Sequence, residues 1–123
     1  MANRNVLALN ATNPAIDTVS PAIDTMGGSY IVLYLKSPAG TTAGTVQLEG
    51  SPTGSLGAAP SNADWVAVGA ALAFGVANTT VKVAVTESHR YVRAHVTVAF
   101  VGGGVMTVYI TIGGPMTGEW REN

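Results

Sequence analysis

Apolar and polar positions alternate along much of this chain with a period of two, the spacing of strands, because successive side chains on an extended backbone point to opposite faces. The longest such run is 90–101, where Val92, Ala94, Val96, Val98 and Phe100 share one face and Arg93, His95 and Thr97 the other. Glycines 102–104 interrupt it, and the alternation resumes with Met106, Val108, Ile110 and Ile112 opposite Thr107, Tyr109 and Thr111. This pattern predicts a long β-hairpin with a glycine turn. Its second face carries Tyr91, Arg93, His95, Ala99, Val101 and Tyr109, a mixture too apolar for a plain solvent face and therefore a candidate assembly contact.

Shorter strands are predicted at 6–9, 15–19, 22–26, 30–36, 45–49, 65–68 and 80–86. The segment 30–36 reads Tyr-Ile-Val-Leu-Tyr-Leu-Lys, and its nearly continuous apolar character predicts a central strand covered on both faces. No window combines helical periodicity with a capping residue at its start. About eight or nine strands between Gly, Pro, Ser and Asn clusters predict an all-β chain, an antiparallel β-sandwich or jelly roll. The expectation is one domain over 1–123, with a short N-terminal arm and a C-terminal tail from about 114 to 123. The run Pro-Ala-Ile-Asp-Thr occurs at 14–18 and again at 21–25, which predicts two edge segments where proline interrupts the ladder. The Gly/Pro/Ser-rich stretch 51–63 predicts a contact loop.

Composition narrows the function. Charged residues make up 11% of the 123 residues, against about 25% in typical soluble domains, so either Thr, Ser, Asn and Gly supply the polar surface or part of it is buried in a homo-oligomer, and the second is favoured. A net charge of -1 supplies no field for nucleic acid or an anionic membrane. The absence of cysteine excludes disulfides, thiol catalysis and cysteine-based metal sites. The N-terminal residues lack the apolar run of a signal peptide, and 65–77 is too short and too rich in Gly and Ala to span a bilayer. Synthesis in a host cytoplasm is expected.

Candidate chemistry is sparse. His89 and His95 do not have metal-ligand spacing, the carboxylates form no close pair, and no nucleophile elbow or phosphate-binding glycine loop is present. The chain is read as non-enzymatic, with no catalytic, cofactor or metal residues. Trp120 and Arg121 lie in a charged tail that either frays or anchors in a neighbouring subunit.

The segments Val46-Gln47-Leu48-Glu49-Gly50-Ser51, Asp64-Trp65-Val66-Ala67-Val68 and Arg90-Tyr91-Val92-Arg93-Ala94 together resemble small β-sandwich structural proteins of tailed bacteriophages. Their order is also similar to that of discoidin-like (galactose-binding-like) jelly rolls, over roughly 45–112. In those relatives an Asp-Gly turn leads directly to the Trp, whereas here Pro52-Thr53-Gly54 and a longer insertion stand in its place. The resemblance implies a virion structural protein, in particular a capsid decoration (cement) protein on the capsid surface. Its partners would be itself, as a trimer, and a major capsid protein. Expected contacts are Asn3, Arg4, Asn5, Pro52, Leu56, Arg93, His95, Tyr109, Trp120 and Arg121. Two alternatives stand beside it: a carbohydrate-binding or host-adhesion module using loops around Trp65 and His89, and a tail, neck or baseplate subunit.

Overall fold

The computed structural model describes residues 4–28, 30–53, 64–74, 80–86, 89–102 and 104–113. Among them run nine strands: β1 (Arg4–Thr12), β2 (Ile23–Asp24), β3 (Tyr30–Lys36), β4 (Ala43–Ser51), β5 (Val66–Ala67), β6 (Leu72–Ala73), β7 (Thr80–Val85), β8 (Tyr91–Val101) and β9 (Val105–Gly113). They form two antiparallel sheets, sheet A in the order β1-β9-β3-β7 and sheet B in the order β2-β8-β4-β5, with β6 also on β4. Most connections cross from one sheet to the other, which gives the strand order of a jelly roll.

The core is the apolar face of each sheet turned inward. Ile31, Leu33 and Leu35 of β3 and Met106, Val108, Ile110 and Ile112 of β9 meet Val46 and Leu48 of β4 and Val92, Ala94 and Val96 of β8. All are buried, each contributing about 1.5–3 kcal/mol for the larger side chains.

The long run ending in glycines is not a hairpin. β8 pairs with β4 and β2, β9 pairs with β1 and β3, and the glycines carry the chain across the sandwich from one sheet to the other. Gly102 and Gly104 have φ of 84° and 94°, so the crossover turns through backbone conformations that side chains disfavour. Alternation fixes which side chains face the core; it does not fix which edge a strand pairs with, and both arrangements bury the same residues. β3 is central in its sheet, as expected, but its outer face is covered only in part: Val32 is buried and Tyr34 half-buried, while Tyr30 and Lys36 are exposed.

β8 also departs from simple alternation. Val46 pairs with Val96 while Thr45 pairs with Val98, so Thr97 is an extra residue, and a second shift precedes the Ala43–Val101 pair. Each bulge flips the side-chain phase. Val98 therefore points outward, 47% exposed, and Phe100 returns to the core at 3%. The ring of Phe100 lies on Gly44, where a Cβ would sit 2.3 Å from it and where φ is +145°. Gly44→Ala is expected to destabilise the fold by about 1–3 kcal/mol through overpacking, read from the urea midpoint.

Candidate functional site

The outer face of sheet B holds a buried ion cluster. β4 and β8 run antiparallel with Glu49 opposite Arg93 and Gln47 opposite His95, so residues of the polar phase on both strands share one face. Arg93 Nε donates to Glu49 Oε1 at 2.8 Å, and His95 Nδ1 lies 2.9 Å from Glu49 Oε2. His95 Nε2 lies 2.9 Å from Asp17 Oδ1. The Arg93 guanidinium stacks on Trp65, 4.4 Å from the ring centroid. Glu49, Arg93, His95 and Trp65 are all buried.

The segment that delivers Asp17 follows the edge of β8. Asp17 N–H donates to the Val96 carbonyl, Ser20 N–H to Ala94, Val96 N–H to Thr18 and Phe100 N–H to Pro14. Asp17 itself has φ of 69°, a left-handed conformation that Asp tolerates. The repeated pentapeptide thus has a structural meaning: Asp17 of the first copy meets His95, and Asp24 of the second meets Arg90 at 3.2 Å. The Arg90 hydrogen bond, then the Met26 N–H, hold the Asp24 carboxyl below its ordinary range.

Burial opposes the charge of His95, but hydrogen bonds that its ring donates to Glu49 and Asp17, and their negative charges, outweigh it, and its pKa is raised above the usual 6.5. A carboxylate oxygen lies on each ring nitrogen, an arrangement that favours the protonated ring, in which both nitrogens donate. In that form neither nitrogen has a free lone pair. The cluster clamps β4, β8 and the segment that carries Asp17 together.

The outer face of sheet A is built differently. Asn5, Tyr34, Lys36, Thr80, Tyr109 and Thr111 line a groove of about 520 Å³. Tyr34 stands directly opposite Tyr109, and Leu7 and Lys82 continue the same row on either side. The Thr111 hydroxyl donates to Asn5 Oδ1.

These two faces redistribute the residues singled out from sequence. Arg93 and His95, expected at an assembly contact, are internal, because Glu49, Asp17 and Trp65 of the same chain already enclose them. Trp65 is buried against Arg93, so its ring is not open to stack on a sugar. Asn5 and Tyr109 come together on sheet A. Arg4 donates to the Asp24 carbonyl, tying β1 to β2, and Pro52 is exposed in the turn after β4. Asn3, Leu56, Trp120 and Arg121 lie outside the described residues. Glu49, Asp17, Tyr34 and Lys36 were not singled out. For Tyr34 and Lys36 the signal is parity: Tyr30, Val32, Tyr34 and Lys36 alternate with the core-facing Ile31, Leu33 and Leu35.

No protein-family model and no curated protein matches this chain. Among solved structures it is similar to the PBSX exported protein XepA, with 18% identity and a TM-score of 0.63 over 94% of this chain and 39% of that one. The chain therefore spans about two fifths of that protein's length. Further similarities are to a chain from Bacillus endospore appendages, described as disulfide-linked pili, and to the infectious bursal disease virus Gx strain. The first has 19% identity and a TM-score of 0.45, over 90% of this chain and 86% of that one. The second has 11% identity and a TM-score of 0.33, over 97% and 33%. The XepA likeness independently supports the sandwich fold.

Two outcomes follow from the cluster. Glu49→Gln leaves Arg93 and His95 buried without their shared carboxylate and is expected to cost about 3–5 kcal/mol in chemical denaturation. The raised pKa of His95 gives stabilisation that is complete below about pH 6.5 and is lost as pH rises through the folded-state value. The stability advantage of the wild type over His95→Gln should therefore shrink between pH 6 and pH 9 in paired urea titrations.

Proposed function

We propose that this domain is a non-enzymatic structural module of a phage-derived particle and, in finer terms, a capsid decoration protein. It would act as a small homo-oligomer, a trimer, seated on a major capsid protein at the capsid surface. The observation that carries this reading is the half of sheet B's outer face beyond the ion cluster. There Ala73, Thr45 and Val98 form one cross-strand row, and Ala43 and Val101 form the next. Val98 and Val101 are 47% and 51% exposed, and no charged side chain stands among these five. Ile16, 58% exposed, lies on the segment that runs beside this stretch of β8.

An apolar sheet face of this kind gains by being covered, at about 25 cal/mol per Å² removed from water. Burying it between subunits stabilises a shell by mass action, because only the folded, assembled state offers the complementary surface. The low overall charge and the occupied nitrogens of His95 both favour a structural role over a catalytic one. The fold likeness to a PBSX exported protein is compatible with a phage origin. Pro52 and the residues of the tail and arm remain proposed secondary contacts.

The test is oligomeric state by light scattering, followed by cryo-EM of expanded capsids mixed with the protein. The wild type should run as a trimer and decorate the capsids. Val98→Lys should shift it to monomer while changing unfolding stability by no more than about 0.5 kcal/mol, as surface substitutions do. A wild-type protein that is monomeric and fails to associate with capsids overturns the reading.

A further inference from the structure

We propose that the outer face of sheet A binds a saccharide chain carrying anionic groups. This goes beyond the assembly role and uses the opposite face of the sandwich. The groove of about 520 Å³ falls in the range of ligand sites, about 300–1,000 Å³, and combines aromatic walls with a few polar groups, as such sites do. Tyr34 and Tyr109 face each other across the β3–β9 ladder, and Tyr109 is 44% exposed, so these rings are not spent on the core. Tyr30, 47% exposed, stands four residues before Tyr34 on the same face of β3, roughly 13 Å away at strand rise. Flat amphipathic rings spaced along a strand suit an extended ligand whose own rings have apolar faces and polar edges, which is the chemistry of a sugar chain. Asn5, Thr80 and Thr111 place amide and hydroxyl groups around the rings to meet sugar hydroxyls.

Charge selects the anionic form. The chain has two lysines, Lys36 and Lys82, and both lie exposed on this face beside Tyr34. The strands of sheet A carry no carboxylate. Among the described residues the acidic groups Asp17, Asp24, Glu49 and Asp64 lie on sheet B or the segments beside it. Among the described residues, then, the lysines of sheet A have no carboxylate on their own strands, whereas Asp17, Asp24 and Glu49 are paired with His95, Arg90 and Arg93. A second copy fits this face poorly, because two-fold packing would set lysine against lysine. A nucleic acid would need a basic track along its whole backbone, which two ammonium groups do not provide.

The experiment is isothermal titration of the full chain with hexagalacturonate, a phosphomannan oligosaccharide, neutral cellohexaose and oligo-dT. One or both charged sugars should bind, the carboxylated and phosphorylated probes identifying the anion, with cellohexaose at least about tenfold weaker. Tyr109→Ala should weaken binding about tenfold, as loss of one stacking platform would, and Tyr109→Phe should retain it. Lys36→Gln with Lys82→Gln should weaken it several-fold and flatten its salt dependence. Near-UV circular dichroism checks that each variant is folded. Failure of both charged sugars to bind, equal binding of cellohexaose, tighter binding of oligo-dT, or indifference to Tyr109→Ala overturns the proposal. Val98→Lys should leave sugar affinity unchanged, so the failure of this site and the failure of the assembly reading are told apart.

Discussion

The bridge from Glu49 to both Arg93 and His95 is the interaction around which sheet B is organised. One carboxylate on β4 satisfies two cations on β8, and it can do so only in the observed register, with Glu49 opposite Arg93. A slip of one residue would turn Arg93 and His95 into the apolar core and bring Val92 and Ala94 out. Such a slip would strand two charges without partners, which is far more costly than the misplacement of apolar side chains alone. The cluster therefore fixes alignment more than it adds raw stability. From it the rest of the face follows: His95 reaches Asp17 and so fastens the edge segment, and Arg93 carries the Trp65 ring.

The same constraint makes the two outer faces unlike. Sheet B uses polar side chains inward upon one another, leaving a closed cluster beside an uncharged apolar patch at Val98 and Val101. Sheet A has no such cluster. Its tyrosines, threonines, asparagine and lysines stand outward around a groove instead. A sandwich with apolar inward faces on both sheets can thus present an apolar patch on one side and a polar-aromatic groove on the other.

Much of the architecture was legible in the alternation of side chains. The all-β class, the antiparallel sandwich and the core-facing residues of β3 and β9 can be read from a period of two, because burial imposes that period directly. Partner choice cannot be read this way. Val92, Ala94 and Val96 reach the same core whether β8 and β9 lie side by side or in opposite sheets, so the expected hairpin and the observed crossover look alike in sequence. The phase of Val98 was hidden for a related reason: Thr97 has no local signal that marks it as the extra residue of a bulge, since the bulge is defined against β4. The ion cluster depends on three segments separated by up to 78 positions, and no spacing rule joins Asp17 to His95 across that distance.

The pentapeptide repeat ties this geometry to the way the sheet edge is closed. An open sheet edge is a template for indiscriminate strand addition, and proteins blunt it with proline, charge and irregular backbone. The 14–24 segment supplies all three along β8: Pro14 and Pro21 lack N–H groups, Asp17 and Asp24 are tied to His95 and Arg90, and only Ile23–Asp24 forms regular strand. β1, at the corresponding edge of sheet A, carries a bulge between Leu7 and Leu9. Both edges on this side of the sandwich are thus poor templates for a further strand.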